Sequence, residues 1–171
     1  MANSLKIYSD SGLTTELSTL SFEHLSDGST GDLDAIVYVG STASGTEFQA
    51  DSNPGVDQVS ISVTDSSPDA GDFEASSMAL ASSSGGLGAG GASLDLGVTL
   101  LSGVGNAVAV HVRAKNASGA VVASTELGLA LGMKFDPMLL EQPYGPPPLL
   151  GEAPDPKGLA DLIDANLDDE D

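Results

Sequence analysis

Carboxylates gather in two short stretches of this sequence. "SDGSTGDLD" carries Asp27, Asp32 and Asp34, and residues 65–74, ending in "PDAGDFE", carry Asp65, Asp69, Asp72 and Glu74. A hard cation such as Ca2+ takes several oxygen ligands from loops of this kind. Neither stretch has EF-hand spacing, and Asp is also favoured in turns because it bonds its own backbone. Ca2+ is thus the single ion for which candidate ligands exist, and the expectation is a protein without a metal or other cofactor. "GLGAGG", Gly86 to Gly91, formally fits the GxGxxG dinucleotide pattern. That fingerprint needs a strand before it, a helix after it and an acid about 20 residues on. The residues that follow, "ASLDLGVTL", read as a strand, so a loop between two strands is the expectation. The two histidines, His24 and His111, are far apart, there is no Cys, and no GxSxG elbow occurs. No spacing supports a catalytic triad, and no enzyme activity is expected.

His111, Arg113 and Lys115 recur with period two and include two of only five cationic residues. On a strand they form one outward stripe. Such a stripe is either a solvated sheet face or a docking strip for a carboxylate-rich segment, such as a neighbour's acidic arm. "NAS" at Asn116 to Ser118 is a glycosylation triplet, a pattern frequent by chance.

With 25 acidic and 5 basic residues the net charge is −20. Nucleic-acid surfaces need clustered Lys and Arg, and anionic membranes attract the same residues, so neither is an expected partner. The remaining readings are solubility through self-repulsion, a high-salt habitat, or a basic partner. The absence of Cys excludes a disulfide framework, Cys-ligated zinc and a thiol nucleophile. No apolar run approaches the ~20 residues that span a bilayer. "MANSLKIYSD" lacks a basic region followed by an apolar stretch, so it is not expected to act as a signal peptide.

The elements that must position these residues read as strands from residue 5 to residue 132. In "VSISVTD", Val59, Ile61 and Val63 share a face; in "NAVAVHVRAKN", Val108, Val110 and Val112 do. "SLDLGVTLL" places Leu94, Leu96, Val98 and Leu100 on one face, and "VVASTELGLALG" places Leu127, Leu129 and Leu131 on another. "AIVYVGS" is apolar on both sides, as a central strand requires. "LKIYS", "TLSFE", "TEFQA" and "SSMALA" are shorter candidates. "SSSGGLGAGGAS", residues 82–93, reads as a mobile or closely packed loop. With no helix-period segment between the strands, the expected fold is all-β: an antiparallel immunoglobulin-like β-sandwich of about 8–9 strands over residues 1–133. The core must be built from Val, Leu, Ile and Ala, since only 4% of residues are aromatic and none is Trp.

The composition changes after Gly132. Seven of nine prolines fall between Pro137 and Pro156. Residues 134–154 are expected to run as an extended, polyproline-like arm, because Pro donates no amide and fixes φ. Residues 155–171 read as a short acidic amphipathic helix, with Asp155 at the N-cap and Pro156 in the first turn. Phe135, Met138, Leu139, Leu140, Tyr144, Leu149, Leu150 and the stripe Leu159, Leu162, Ile163 and Leu167 are too many large apolar side chains for an inert tail. They are the expected partner-binding residues of an interaction arm. Residues 134–171 carry a net charge of −8, leaving −12 on the rest.

The stretches "LKIYSDSGLTTELSTLSFEHL", "DAIVYVGSTASGTEF" and "NPGVDQVSISVTDS" resemble those of small β-sandwich structural proteins of tailed-virus particles, of phage or haloarchaeal type. The likeness covers roughly residues 5–132 and is one of style, without a diagnostic motif. It implies a non-enzymatic virion component, decorating the capsid or placed in the tail, neck or baseplate. It also implies assembly in several copies, with other virion structural proteins as partners and arms lacing the subunits together. The acidic bias fits a salt-loving host. The rival expectation is a surface adhesion or carbohydrate-binding module, and a third is an enzyme accessory domain with Ca2+ in an acidic loop.

Overall fold

The computed structural model describes residues 4–25, 27, 29–70, 73–115 and 124–132. The arm and terminal helix expected over 134–171, with every arm residue from Phe135 to Leu167 named above, lie outside the described residues. So do Asp72 and the Asn116–Ser118 triplet.

The described residues form an antiparallel all-β protein with no α-helix. Nine strands occur in the order β1 (Lys6–Tyr8), β2 (Leu33–Gly40), β3 (Glu47–Gln49), β4 (Val59–Asp65), β5 (Met78–Ala81), β6 (Ser93–Gly97), β7 (Thr99–Leu101), β8 (Val108–Ala114) and β9 (Leu127–Gly132). They make a four-stranded sheet β1-β2-β8-β5, a three-stranded sheet β6-β4-β9 and a two-stranded sheet β3-β7. The longest pairing joins β2 to β8 over seven residues, from Leu33 opposite Ala114 to Val39 opposite Val108. Alternation sets that register: a slip by one residue would turn Val37, Val39, Val110 and Val112 out of the core.

One core cluster draws on all three sheets. Val37, Val39, Leu80, Val110 and Val112 come from the first, Val59 and Ile61 from the second, and Phe48 and Leu100 from the third. Burying each such side chain contributes about 1.5–3 kcal/mol. Phe48, 1% exposed, is the largest of these side chains and anchors the short β3-β7 ribbon to the rest. Two strands alone would be marginal in water, so the ribbon depends on that anchor.

Three expectations need correction. "SLDLGVTLL" is not one strand. At Gly97 the backbone takes φ +137°, which favours glycine, and the β4-β6 register shifts between Val59 and Ser60. Beyond this bulge the chain joins β3 instead of β4, and Val98 is left 39% exposed. "TLSFE" keeps its alternation, with Leu20 and Phe22 half-buried, but forms no strand because no neighbour pairs with it among the described residues. "AIVYVGS" is central, between β1 and β8, yet Ile36 is 45% exposed, so its second apolar face is not a second core.

The glycine-rich stretch is a closely packed loop. After a 3-10 turn at Ser84–Gly86 it returns so that the Leu80 amide donates to the Gly91 carbonyl at 2.8 Å. Leu87 is 1% exposed, and Ala79 and Ala81 are buried beneath the loop. The loop thereby covers the outer edge of β5. It leads into β6, a strand, which removes the dinucleotide reading.

Candidate functional site

Among the described residues lies an open groove of about 790 Å3, lined by both apolar and polar side chains. One wall is the segment from Leu17 to Leu25, which has no regular secondary structure. Leu17, Leu20 and Phe22 line its inner side, while Ser18, Thr19, Ser21 and Glu23 are exposed. The opposite wall is Val63 on β4 with Leu127 and Leu129 on β9, and Ile7, Met78 and Ala114 also line the groove. Its polar rim includes His24, Lys115, Ser124 and Thr125.

The turn over residues 10–16 holds the first wall in place. The Asp10 carboxylate accepts the amides of Thr14 at 3.1 Å and Thr15 at 2.8 Å, and the Thr14 hydroxyl at 3.1 Å. Leu13, at φ +51°, packs over Gly40. Lys6 pairs with Glu16, and the Leu17 amide donates to the Ile7 carbonyl at 2.8 Å. At the far end the Leu25 amide donates to the Thr30 hydroxyl at 2.7 Å. Between these two anchors no backbone hydrogen bond holds the segment among the described residues. The wall is thus tethered at both ends and open between them. His24 Nε2 is buried there with no hydrogen-bond partner.

The structure separates the expected stripe. His111 and Arg113 share the outer face of the four-stranded sheet, where Arg113 is opposite Asp34 and Ala79, and His111 is opposite Ile36 and Ala81. Arg113 grips Asp34 with two bonds of 2.7 and 2.8 Å and lies 3.6 Å from Asp32. Its fork is already occupied by carboxylates of its own chain. Lys115 follows the end of β8 and lies at the groove rim, with its ammonium 3.0 Å from the Ser76 carbonyl. It pairs with no carboxylate among the described residues.

The candidate metal ligands do not converge. Asp27 accepts the Ser29 amide, Asp32 and Asp34 face Arg113, and Asp65 accepts the Ser67 amide. Asp69, at φ +60°, directs its own amide to Glu74. Among the described residues no group of three or more His, Asp or Glu side chains is placed to hold a metal ion. No helix among them is long and apolar enough to cross a membrane. The groove itself was missed in the sequence, because Leu20 and Phe22 read as part of a strand and Leu17 was not singled out.

The pKa values of Asp10, Asp27 and Asp34 are each lowered on folding, and Asp10 and Asp34 are expected to make the protein acid-sensitive in a defined direction. Hydrogen bonds from the Thr14 and Thr15 backbone hold Asp10 below its ordinary 3.8, and the bond from Arg113 does the same to Asp34. A carboxylate lowered on folding contributes stability above its unfolded value and loses it as pH falls through its folded value. Melting temperature is therefore expected to fall below about pH 3.8, beyond any change seen between pH 7 and 5. Asp10→Asn and Asp34→Asn should each flatten that fall. An unchanged acid limb in both variants would show that other groups carry it.

Compared with protein-family models, curated proteins and solved structures, the chain matches none.

Proposed function

We propose that this protein is a non-catalytic structural component of a virus particle, with a β body and a C-terminal arm that anchors it to neighbouring subunits. Capsid decoration and a place in the tail, neck or baseplate are both compatible with that role. In this reading the sheets pack as an immunoglobulin-like sandwich. The observation that carries the proposal is an open, partly apolar groove among the described residues, taken together with a C-terminal sequence rich in Leu and Pro. A groove of several hundred Å3 with apolar side chains among a few polar ones suits an extended peptide that carries large apolar residues. Polyproline conformation is already restricted, so such a peptide loses less entropy on docking. The divergence of the carboxylate clusters and the occupied Arg113 fork favour binding over catalysis or ion chemistry.

Removing residues 135–171 tests the reading. The shortened chain is expected to stay folded, since every described strand lies upstream, and to lose self-association in sedimentation. Full association of the shortened chain would sink the arm. Portal, terminase or tail-tube genes beside this one would support the particle assignment.

A further inference from the structure

We infer that β9 pairs edge to edge with β9 of a second copy of this chain, antiparallel about a two-fold axis at Leu129. The β6-β4-β9 sheet then continues into its symmetry mate as one sheet of six strands. The inference goes beyond the arm reading and stands on β9 alone.

Among the described residues β9 is the one unguarded outer edge of the two larger sheets. The loop at residues 82–91 covers β5. Beside β1 the Leu17 amide donates to the Ile7 carbonyl, and Glu16 bridges to Tyr8. β6 carries Asp95, and its register with β4 is broken by a bulge. Covering loops, charges and bulges are the usual guards of an edge. β9 has none of them: "LGLALG" holds no charge and no Pro, and no described strand lies beyond it.

Backbone geometry selects the partner. Along a strand, the amide and carbonyl of successive residues point to alternate sides. The Val63 amide donates to the Ala92 carbonyl at 2.7 Å, toward β6, and the Ser66 amide donates to the Glu126 carbonyl at 3.1 Å, toward β9. Ser62 and Thr64 therefore bond β9 through their partners Ala130 and Gly128. That leaves the amides and carbonyls of Leu127, Leu129 and Leu131 directed outward. Around Leu129 the sequence reads L-G-L-A-L, nearly the same in both directions. A second copy centred there sets Leu129 against Leu129, Leu127 against Leu131 and Gly128 against Ala130. Large side chains meet large on one face and small meet small on the other. Every outward leucine of both copies then has a partner. A centre at Gly128 or Ala130 would leave one of them unmatched within the strand.

The charges tolerate this contact. Glu126 falls opposite Gly132 of the second copy, so the two Glu126 side chains stand about 20 Å apart along the sheet. That is more than two Debye lengths at physiological salt. Repulsion between two acidic bodies still keeps the contact weak by itself, with a dissociation constant of roughly a millimolar, and added salt tightens it. A chain lacking the arm would still sediment as a monomer at micromolar concentration. Failure of the arm and failure of this edge are therefore read separately.

Amide hydrogen exchange on the full-length chain tests the edge. Between micromolar and millimolar concentration, the amides of Leu127, Leu129 and Leu131 are expected to gain about two- to fivefold protection, and more in added salt. Those of Gly128 and Ala130 should be protected throughout. Protection of all five at every concentration would mean that the chain covers its own edge, and none on the leucines at any concentration would mean that nothing does. Either result overturns the inference. The absence of native Cys allows a second measurement. Mild oxidation of Leu129→Cys should give a disulfide-linked dimer, because directly paired Cα atoms stand about 5.5 Å apart. Gly88→Cys, on an exposed loop, is the control for chance collision. Equal dimer yields from the two variants would show that something other than β9 meets this edge. Leu127→Pro removes an outward amide and no bond to β4, and should weaken the pairing about tenfold; unchanged pairing would also overturn the inference.

Discussion

Phe48→Ala is expected to lower stability by about 3–5 kcal/mol, the largest single-residue effect in the described body. Phe48 is 1% exposed and sits in the cluster shared by all three sheets. It is the largest fully buried side chain, in a protein with only four Phe and no Trp. The buried cluster around it is Val, Leu and Ile, with Phe22 only half-buried against that cluster, so the space is expected to stay largely unfilled. The β3-β7 ribbon has three residues per strand and few contacts of its own to compensate. Against a typical total of about 5–15 kcal/mol, the variant would be marginal. A fall in melting temperature of roughly 10–20 °C follows from the size of the body. Thermal denaturation followed by circular dichroism measures it; a fall below about 3 °C would mean that Phe48 does not anchor the ribbon.

Gly90→Ala should have the second largest effect, for the opposite reason. A Cβ at Gly90 would stand 2.6 Å from the Leu80 carbonyl oxygen and 3.4 Å from the Ala79 side chain. Backbone cannot swing aside as a flexible side-chain end can, so the loop must lift. Lifting it breaks the Leu80–Gly91 hydrogen bond and uncovers Leu87, Ala79 and Ala81. Overpacking of this kind costs about 1–3 kcal/mol. The variant should also lose protection from hydrogen exchange at the Leu80 amide and aggregate more readily through the freed β5 edge. Gly88→Ala is the control, because nothing lies within 4 Å of a Cβ there. Equal melting of the two variants would remove the packing argument.

The sequence made some of this fold easy to read and hid the rest. Period-two alternation located β4 and β8, which each bury one face, and β9, whose three leucines are half-buried, whereas β2 was legible as an apolar run suited to a central strand. Val110, Val112 and Ala114 are buried, and the His111 and Arg113 that separate them are half-buried, as the alternation required. It failed where hydrophobic pattern and hydrogen bonding part company. Leu94 through Leu100 alternate without a break, yet a single glycine conformation sends the two halves to different sheets. Leu20 and Phe22 alternate too, yet they belong to a wall that no strand joins. "GLGAGG" is equally ambiguous in one dimension: glycine needed for a phosphate turn and glycine needed to pass close to a carbonyl look alike. The groove was hidden for a further reason. Its lining comes from residues 7, 17–25, 63, 73, 77–78, 114–115, 124–125 and 127–129, which only the tertiary fold assembles.

The long β2-β8 pairing has a consequence for how the chain acquires its shape during synthesis. Leu33 meets Ala114 and Val39 meets Val108, partners separated by more than half of the body along the chain. Until Ala114 has emerged from the ribosome, β2 has only the three residues of β1 to pair with. Closing so distant a contact carries a large loop entropy, so the fold completes late and as a whole. The nascent chain meanwhile carries Ile36, Val37 and Val39 on an open strand. The acidic charge spread between Asp10 and Asp95 opposes association of neighbouring nascent chains over that interval.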